Sequence, residues 1–383
     1  MRERPSGENL SRTRSAIEPG SPRILILRAG AIGDTLMATP LVRAFRRTFP
    51  NAHLVFLCSR TACDILRGNP HLDQVIPLSY RRLPTWSSSE KLRAVRELRR
   101  LNLDWALALE SHPRLVQLAL QARAKRTIGY AEMPGSDGYE RATFDPKRHS
   151  IENHLCAALP TGVRRDGFEM ELHYPPSIDL VLRERLEHGG IKESDCLVGV
   201  HAGWGGRAHP AGPDQTRLRS WPAENFAEVI RWLVGRVGAR VILTGGEVDH
   251  PLNDAIASLA SVPTLNLAGQ LSLPEMAALI RRLRVYLTVD TGPAHMAAAL
   301  GTPLITLWGP GIFEQTAPLA GRGPVCILYR RVACAPCYGT PLMQSCRDNI
   351  CMKQIEVEEV IAAIQHTLAT PQPVKQESIQ ESL

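Results

Sequence analysis

Short apolar runs alternate with helical patterns along most of this sequence, and that alternation limits the folds open to it. In the first half, "RILILR" (23–28), "HLVFLC" (53–58) and "DWALALE" (104–110) each precede a segment with helical spacing. In the second half, "CLVGVHAG", "ARVILTGG", "VYLTVDTG" and "PLITLWGPG" end in glycine-containing turns. Strands that alternate with helices form parallel sheets covered by helices on both faces. The sequence therefore predicts an α/β protein.

The same rhythm divides the chain into two domains. It breaks between 129 and 150, in a polar loop that can lie over a cleft, and restarts after 174–177. A chain of 383 residues, 44% of them hydrophobic, is long enough for two cores. We therefore expect two Rossmann-like domains facing each other across a cleft, with further segments at the chain ends. The expected segments are a disordered tail over 1–22, domains over 23–175 and 176–350, a C-terminal helix over 351–369 and a disordered tail over 370–383.

The chain is basic, with a formal net charge of +7 and a pI near 9.0, which favours anionic partners. Arginines concentrate in 80–102, whose second half places Leu92, Val95, Leu98 and Leu101 on one helical stripe. The arginines form either a solvated helix face or a surface for an anionic acceptor or membrane headgroups. Aromatic residues are 5% of the chain and no stacking motif accompanies the arginines, so nucleic acid is not expected as a partner.

The sequence has no run of about 18 apolar residues and no apolar signal centre in its first twenty residues. We therefore expect a cytoplasmic protein, with peripheral contact at the inner membrane as the alternative placement.

Glycines and a carboxylate follow the first predicted strand, in "ILILRAGAIGDTLMATP". A strand, a glycine turn and a helix place backbone N–H groups at a ligand site. Asp34 can cap the following helix, or can accept a proton from an attacking hydroxyl. Gly30, Gly33 and Thr39 are expected on the acceptor side of such a site. The turn is not G-x-G-x-x-G, which disfavours a dinucleotide-dependent oxidoreductase.

A second strand, turn and helix occur in "TVDTGPAHMAAALGTP". The strand ends at Asp290, Gly292 permits close backbone approach, and Pro293 suits the first helical position. The free N–H groups from Thr291 to His295 then suit a diphosphate, although such a connection can also be purely structural. Arg219, which precedes "WPAENF", can direct a permanent cation into the same cleft.

Four cysteines, Cys334, Cys337, Cys346 and Cys351, form a C-x2-C-x8-C-x4-C pattern. A four-thiolate zinc site is chemically feasible, but reduced buried thiols are the expected state and no metal is predicted in the active site. The other five cysteines have apolar neighbours and are expected in the core: Cys58, Cys63, Cys156, Cys196 and Cys326.

Four motifs in order, "GAIGDTLMATPLVRAFRRTFP", "RSWPAENF", "ILTGGEVD" and "VDTGPAHMAAALGTPLITLWGP", resemble the bacterial lipopolysaccharide heptosyltransferases of glycosyltransferase family nine, nearest the heptosyltransferase II branch. The resemblance spans Arg23 to Leu368. It implies a GT-B fold with an acceptor-binding N-terminal domain, an ADP-sugar-binding C-terminal domain and a final helix packed toward the first domain. It also implies inverting, metal-independent and cofactor-free transfer from ADP-heptose to a sugar hydroxyl of the lipid A core oligosaccharide.

The resemblance assigns roles to individual residues. Asp34 matches the catalytic base, and Asp290 matches the neighbourhood of the donor sugar. Thr291, Gly292 and His295 match the diphosphate-binding turn. Other expected donor contacts are Arg219, which replaces the family's usual lysine after a longer loop, and Gly203, Gly246 and Glu247. Two alternatives stay open, namely a family member with another donor or acceptor, and a non-catalytic nucleotide-sugar or glycan-binding protein.

Overall fold

The structure is a computed structural model that describes residues 20–79, 84–133, 135–204 and 218–370. Most of the predicted tails, the start of the arginine-rich segment and much of the glycine-rich loop before Arg219 lie outside these residues. In the described part of the chain, twelve strands form two six-stranded sheets, and every strand pair is parallel. The predicted α/β class is confirmed.

The first sheet has the strand order β3-β2-β1-β4-β5-β6. Its strands are β1 (Arg23–Arg28), β2 (His53–Ser59), β3 (Gln74–Leu78), β4 (Trp105–Ala108), β5 (Arg126–Gly129) and β6 (Tyr139–Arg141). The helices of this half are α1 (Ile32–Leu36), α2 (Thr39–Thr48), α3 (Arg60–Leu66), α4 (Ser89–Arg100), α5 (Pro113–Gln121) and α6 (Ser150–Ala158); the next helix, α7 (Ser177–His188), packs on the helix Leu273–Arg282 of the second half. Both faces of the central strands are buried, because helices cover the sheet on both sides.

The second sheet has the order β12-β11-β10-β7-β8-β9, which repeats the topology of the first. Its strands are β7 (Leu197–His201), β8 (Arg240–Leu243), β9 (Thr264–Asn266), β10 (Val285–Val289), β11 (Leu304–Trp308) and β12 (Val325–Tyr329). The helices are α8 (Ala223–Trp232), α9 (His250–Ala260), α10 (Leu273–Arg282), α11 (Gly292–Leu300), α12 (Phe313–Thr316), α13 (Pro341–Gln344), α14 (Ile350–Lys353) and α15 (Val357–Ala369).

The segment with helical spacing that follows β1 forms two helices in the structure. α1 ends at Leu36, and α2 begins at Thr39 with Pro40 in its first turn. Proline lacks the N–H that a continuous helix would need at this position. The break lets α1 take its own direction at the end of β1.

Two expectations about helix faces are wrong. The buried stripe of α4 is Lys91, Ala94, Val95 and Leu98, whereas Leu92 lies on the exposed side. The C-terminal helix α15 does not pack toward the first domain. Its Val360 and Ile364 are buried against the second sheet, because its apolar face completes the cover over β10 and β11.

Several contacts join the two halves. Helix α1 packs on α11, and one core cluster includes side chains from both halves. His149 Nε2 lies 3.0 Å from the Ala317 carbonyl oxygen, and Gln315 Nε2 donates to the Pro146 carbonyl at 2.9 Å. The predicted loop after Gly129 therefore contacts the second half, and it also contains the edge strand β6. None of the helices in the described ranges has both the length and the apolar character needed to cross a membrane.

Candidate active site

The site lies where the strand order of each sheet reverses. The first sheet reverses between β1 and β4, and the second between β7 and β10. Connections leave such a point in opposite directions, which opens a crevice at the carboxyl ends of the strands. Asp34 and Glu110 follow β1 and β4, and Asp290 follows β10. The predicted motifs therefore meet at the two switch points.

The Asp34 carboxylate is held at both oxygens. Arg28 Nη2 donates to Oδ1 at 2.7 Å, and the Ala31 backbone N–H donates to Oδ2 at 2.9 Å. Asp34 is the third residue of α1, whose N-cap is Ala31, so the predicted N-cap interpretation of Asp34 is wrong. Burial raises the pKa of Asp34, but Arg28, the Ala31 amide and His295 together bring it below its ordinary value. The Asp34 side chain is 31% exposed.

Glycine is required at positions 30 and 33 by close contacts. A Cβ on Gly30 would overlap the Asp34 carboxylate, and one on Gly33 would lie 2.6 Å from His295 Cδ2. A real Cβ does not make such contacts without displacing its neighbour. Gly30 leaves room for the Asp34 carboxylate, and Gly33 lets α1 pack closely on α11. Thr39 does not reach the site, since its buried hydroxyl bonds the Leu36 carbonyl and the Glu171 amide.

The N-terminus of α11 faces α1 across the cleft. Thr291 is its N-cap, Pro293 is in its first turn, and a Cβ on Gly292 would lie 2.9 Å from Ile32 Cβ. The N-terminus of this helix therefore packs on α1, the helix that carries Asp34. Burial lowers the pKa of His295 to about 4, with His149 adding to the effect and Asp34 opposing it. Its Nδ1 is buried and has no hydrogen-bond partner among the described residues.

Arg219 is a buried cation beside Asp290. Its Nη1 lies 3.7 Å from Asp290 Oδ2 and donates to the Asp290 carbonyl at 3.3 Å. The guanidinium carbon is 4.2 Å from the ring centre of Tyr338 and 4.9 Å from that of Trp204. Aromatic faces attract guanidinium groups and limit their movement. Burial raises the pKa of Asp290, Arg219 lowers it, Asp34 raises it, and the net shift is upward.

The other predicted donor residues lie at the ends of β7 and β8. Gly203 packs against Asp249, whose Oδ2 accepts the Gly246 N–H at 2.8 Å, and Glu247 is exposed in the next turn. Beneath them, His201 Nδ1 contacts Thr244 Oγ1 at 3.0 Å, and that hydroxyl contacts the Tyr286 hydroxyl at 2.8 Å. Burial lowers the pKa of His201 to about 4, against an opposing effect of Asp249.

Some of the cysteines do not lie where the sequence predicts them. In the described residues, no group of three or more His, Cys, Asp or Glu side chains is arranged to hold a metal ion. Cys337 packs with Leu218 and Met343, in the segment that presents Tyr338 to Arg219. Cys58 and Cys63 are buried as expected, whereas three cysteines expected in the core are partly exposed: Cys156, Cys196 and Cys326.

Sequence reasoning missed four residues of the site: Arg28, Glu110, Trp204 and Tyr338. Arg28 gave a usable signal, because it ends a strand whose four preceding residues are apolar. A charged residue at the carboxyl end of a buried parallel strand points toward the ligand edge of the sheet. Tyr338 gave no signal of this kind, since its contact with Arg219 spans 119 positions of the sequence.

Two facing α/β domains with a cleft at their switch points have the GT-B architecture of glycosyltransferases. The sequence profile of glycosyltransferase family 9 (heptosyltransferase) matches residues 214–345. The chain is 27% identical to lipopolysaccharide heptosyltransferase 3 of Escherichia coli over 297 residues, which are 72% of this chain and 80% of the relative. The chain is therefore similar to the heptosyltransferases of glycosyltransferase family 9, and these matches indicate an enzyme of the transferase class.

Solved structures share the fold. The glycosyl transferase family 9 protein from Veillonella parvula aligns with a TM-score of 0.78 at 22% identity, over 92% of this chain and 99% of that protein. The ADP-heptose lipopolysaccharide heptosyltransferase II of E. coli aligns with a TM-score of 0.71 at 20% identity, over 90% of this chain and 98% of that protein. These similarities confirm the predicted two-domain GT-B fold.

Proposed function

We propose that this enzyme transfers heptose from ADP-heptose to a sugar hydroxyl of the lipopolysaccharide inner core, with inversion at the anomeric carbon and with Asp34 as the general base. The observation that carries the proposal is the position of Asp34. Its carboxylate lies on α1, which packs on α11, and it is near enough to His295 to influence the pKa of that imidazole. A base on one side and an anion-binding helix end on the other suit the two ends of a displacement reaction.

The diphosphate of the donor is proposed to bind at the N-terminus of α11. The N-terminal end of this helix and its dipole favour negative charge there, although Pro293 has no N–H and the Ala294 N–H donates to the Thr291 carbonyl at 3.1 Å. His295 offers a buried Nδ1 that lacks a partner in the described residues, and Arg219 offers a guanidinium 3.3 Å from the Asp290 carbonyl. We propose that these groups, rather than a metal ion, stabilise the charge on the departing ADP.

The adenosine part of the donor is proposed to lie near the ends of β7 and β8. Gly203 and Gly246 lie at these strand ends, and Glu247 is an exposed carboxylate beside them that could bind ribose hydroxyls. The second half would then bind the donor, over about 176–350, and the first half the acceptor, over about 23–175.

The proposed reaction is a single displacement. The acceptor hydroxyl oxygen attacks the anomeric carbon of the heptose from the face opposite the diphosphate. As that carbon–oxygen bond forms, the bond from the anomeric carbon to the β-phosphate oxygen breaks, and ADP leaves with the electron pair. The hydroxyl proton moves to the Asp34 carboxylate. Inversion follows because the nucleophile and the leaving group occupy opposite faces.

The acceptor is proposed from the relatives. One is named lipopolysaccharide heptosyltransferase 3 and another is titled heptosyltransferase II, so both support a heptose acceptor region in the inner core without selecting one position. Such an acceptor is lipid-linked, and we propose that exposed arginines of α4 with Trp86, which is 80% exposed, contact the anionic membrane surface.

The test is acceptor-dependent release of ADP from ADP-heptose, measured with EDTA present. Truncated lipid A core acceptors that lack the first, second or a later heptose identify the position, and NMR of the product gives the anomeric configuration. The proposal predicts ADP release that requires acceptor, persists in EDTA and yields the inverted anomer. Retention of configuration, or turnover only with another nucleotide sugar, would contradict it. Donor binding without turnover on any acceptor would indicate a binding protein instead.

A further inference from the structure

Arg28 joins the two carboxylates that follow β1 and β4. Its Nη2 donates to Asp34 Oδ1 at 2.7 Å, and its Nη1 lies 3.3 Å from Glu110 Oε2. The same Nη1 donates to the Leu109 carbonyl at 2.9 Å. Only 17% of the side chain is exposed. The guanidinium is thus fixed in a plane by three acceptors, as a planar group with several donors allows.

This contact decides which way the Asp34 carboxylate faces. With Oδ1 on Arg28 and Oδ2 on the Ala31 N–H, neither oxygen can rotate without losing a charge-assisted or backbone hydrogen bond. The backbone of Gly30 also lies against the carboxylate, so closely that a Cβ at this position would overlap it. The Asp34 side chain is 31% exposed, so an acceptor hydroxyl can still approach it.

The charges around Asp34 come from several elements. The groups that face it directly or through Arg28 are Arg28, Glu110, His154, Asp290 and His295. Burial and the neighbouring acids favour the protonated form of Asp34, whereas Arg28 is the largest effect in the opposite direction. Burial lowers the pKa of Arg28 itself, but Asp34 and Glu110 raise it by more, so the guanidinium stays charged.

We propose that Arg28 is a positioning residue for the transfer reaction: anchored by Glu110, it keeps the Asp34 carboxylate ionised and oriented toward the acceptor hydroxyl. This inference rests on the proposed role of Asp34 as the base. It also explains why a charged side chain ends an otherwise apolar buried strand.

A purely structural role for Arg28 would be to tie β1 to the turn after β4. Arg23 makes a comparable structural contact at the opposite end of β1, where its Nη1 donates to the Leu101 carbonyl in the segment before β4 at 2.9 Å. Arg23→Met is therefore a matched control, since it removes a guanidinium-to-carbonyl bond from the same strand without altering the site.

The experiment measures kcat, KM and their pH dependence for the native enzyme, Arg28→Lys, Arg28→Met, Glu110→Gln and Arg23→Met, together with the Kd for ADP. We expect Arg28→Met to lower kcat by about 10²-fold, because a misplaced base loses its alignment with the hydroxyl. Without the guanidinium the pKa of Asp34 rises, so the acidic limb of kcat/KM moves to higher pH. Arg28→Lys keeps the charge but not the planar contacts, and we expect a lower kcat with a smaller displacement of that limb.

Glu110→Gln removes the anchor and one negative charge, so kcat falls while the acidic limb does not move to higher pH. Glu110→Gln and Arg28→Met thus have different expected effects on the acidic limb, so Glu110→Gln still tests the proposal if Arg28→Met does not fold. ADP affinity stays unchanged in all variants, and Arg23→Met matches the native profile. Native kcat and an unmoved limb in both Arg28 variants would overturn the inference alone. An Asp34→Asn enzyme that remains active would overturn the base assignment, and this inference with it.

Discussion

At the scale of single residues, the carboxylate of Asp34 dictates glycine at position 30. Any larger residue there would overlap the carboxylate. The sequence carried this information, because a glycine turn after an apolar strand is informative by itself. The sequence did not indicate which residues contact Arg28. Its charge is unusual at the end of a buried strand, but only the pairing of β1 with β4 brings it next to Glu110.

His295 is expected to be neutral near pH 7. Burial lowers its pKa to about 4, so the folded protein binds its proton only well below the unfolded value of 6.5. The unfolded chain binds that proton first, and this residue therefore reduces stability as the pH falls from 6.5 toward 4. NMR titration of the histidine ring signals, assigned with His295→Gln, is predicted to show no transition for His295 between pH 8 and pH 5. A midpoint close to 6.5 would contradict the buried, unpaired environment.

At the scale of elements, helix α4 shows how an amphipathic pattern can be misread by one residue. Leucine spacing alone placed Leu92 inward, but α4 begins at Ser89 and buries Lys91, Ala94, Val95 and Leu98. Long side chains such as lysine can lie along an apolar surface, so residue type does not fix the buried face. The outward face then carries Leu92 with Arg93, Arg96 and Arg100.

Charge reversal on α4 tests the proposed membrane contact. The triple change Arg93→Glu, Arg96→Glu and Arg100→Glu is predicted to weaken sedimentation with vesicles rich in phosphatidylglycerol by at least about 10²-fold, since each basic residue near such a surface contributes about 1 kcal/mol. Phosphatidylcholine vesicles should bind neither protein.

The matched control makes the same charge change at three exposed arginines of the second half: Arg183, Arg236 and Arg284. We expect this control to bind vesicles nearly as well as the native protein. Equal loss in both triple variants would mean that net charge alone matters, and no loss in the α4 variant would contradict the assignment of this face.

At the scale of the whole molecule, the alternation in the sequence was sufficient to predict two α/β units. It was insufficient for the edge strand β6, whose sequence "YER" is not an apolar run and whose residues are at best half-buried. The other edge strand, β12, has the apolar sequence "VCILY" but is also only half-buried. The order of the strands also could not be predicted from the sequence, because it depends on how the connections cross each sheet. The two switch points face each other only in the folded chain, so the site that they form could not be predicted from either half alone.

Glu171 joins the two halves. This buried carboxylate, whose side chain is 6% exposed, lies 3.1 Å from Arg43 Nη1 and accepts from Arg322 Nη2 of the second half at 3.2 Å. Burial raises its pKa, but the neighbouring His173 and His71 and the charge of Arg43 lower it by more, to well below 4.5. Its contribution to stability is therefore complete above about pH 4.5 and is lost as the pH falls below that value.

Glu171→Gln is predicted to reduce the free energy of unfolding at pH 7 by about 1–3 kcal/mol, because it removes the buried charge that pairs with Arg43 and Arg322, while Arg43 keeps Asp166 at 2.9 Å. Urea denaturation at a series of pH values measures the difference, which should shrink as the pH falls through 4.5. Glu169→Gln is the control: this carboxylate also faces Arg43, at 3.4 Å, but is 48% exposed, and its loss should cost less than about 1 kcal/mol. Equal effects of the two changes would contradict the role assigned to Glu171.

The central claim is that Asp34 removes the proton from the acceptor hydroxyl. The most direct measurement compares acceptor-dependent ADP release and ADP-heptose affinity in the native enzyme and in Asp34→Asn, whose amide is nearly isosteric with the carboxylate. The account predicts that turnover falls by about 10²–10⁴-fold while the donor Kd stays unchanged. Turnover within a few-fold of the native rate would contradict it.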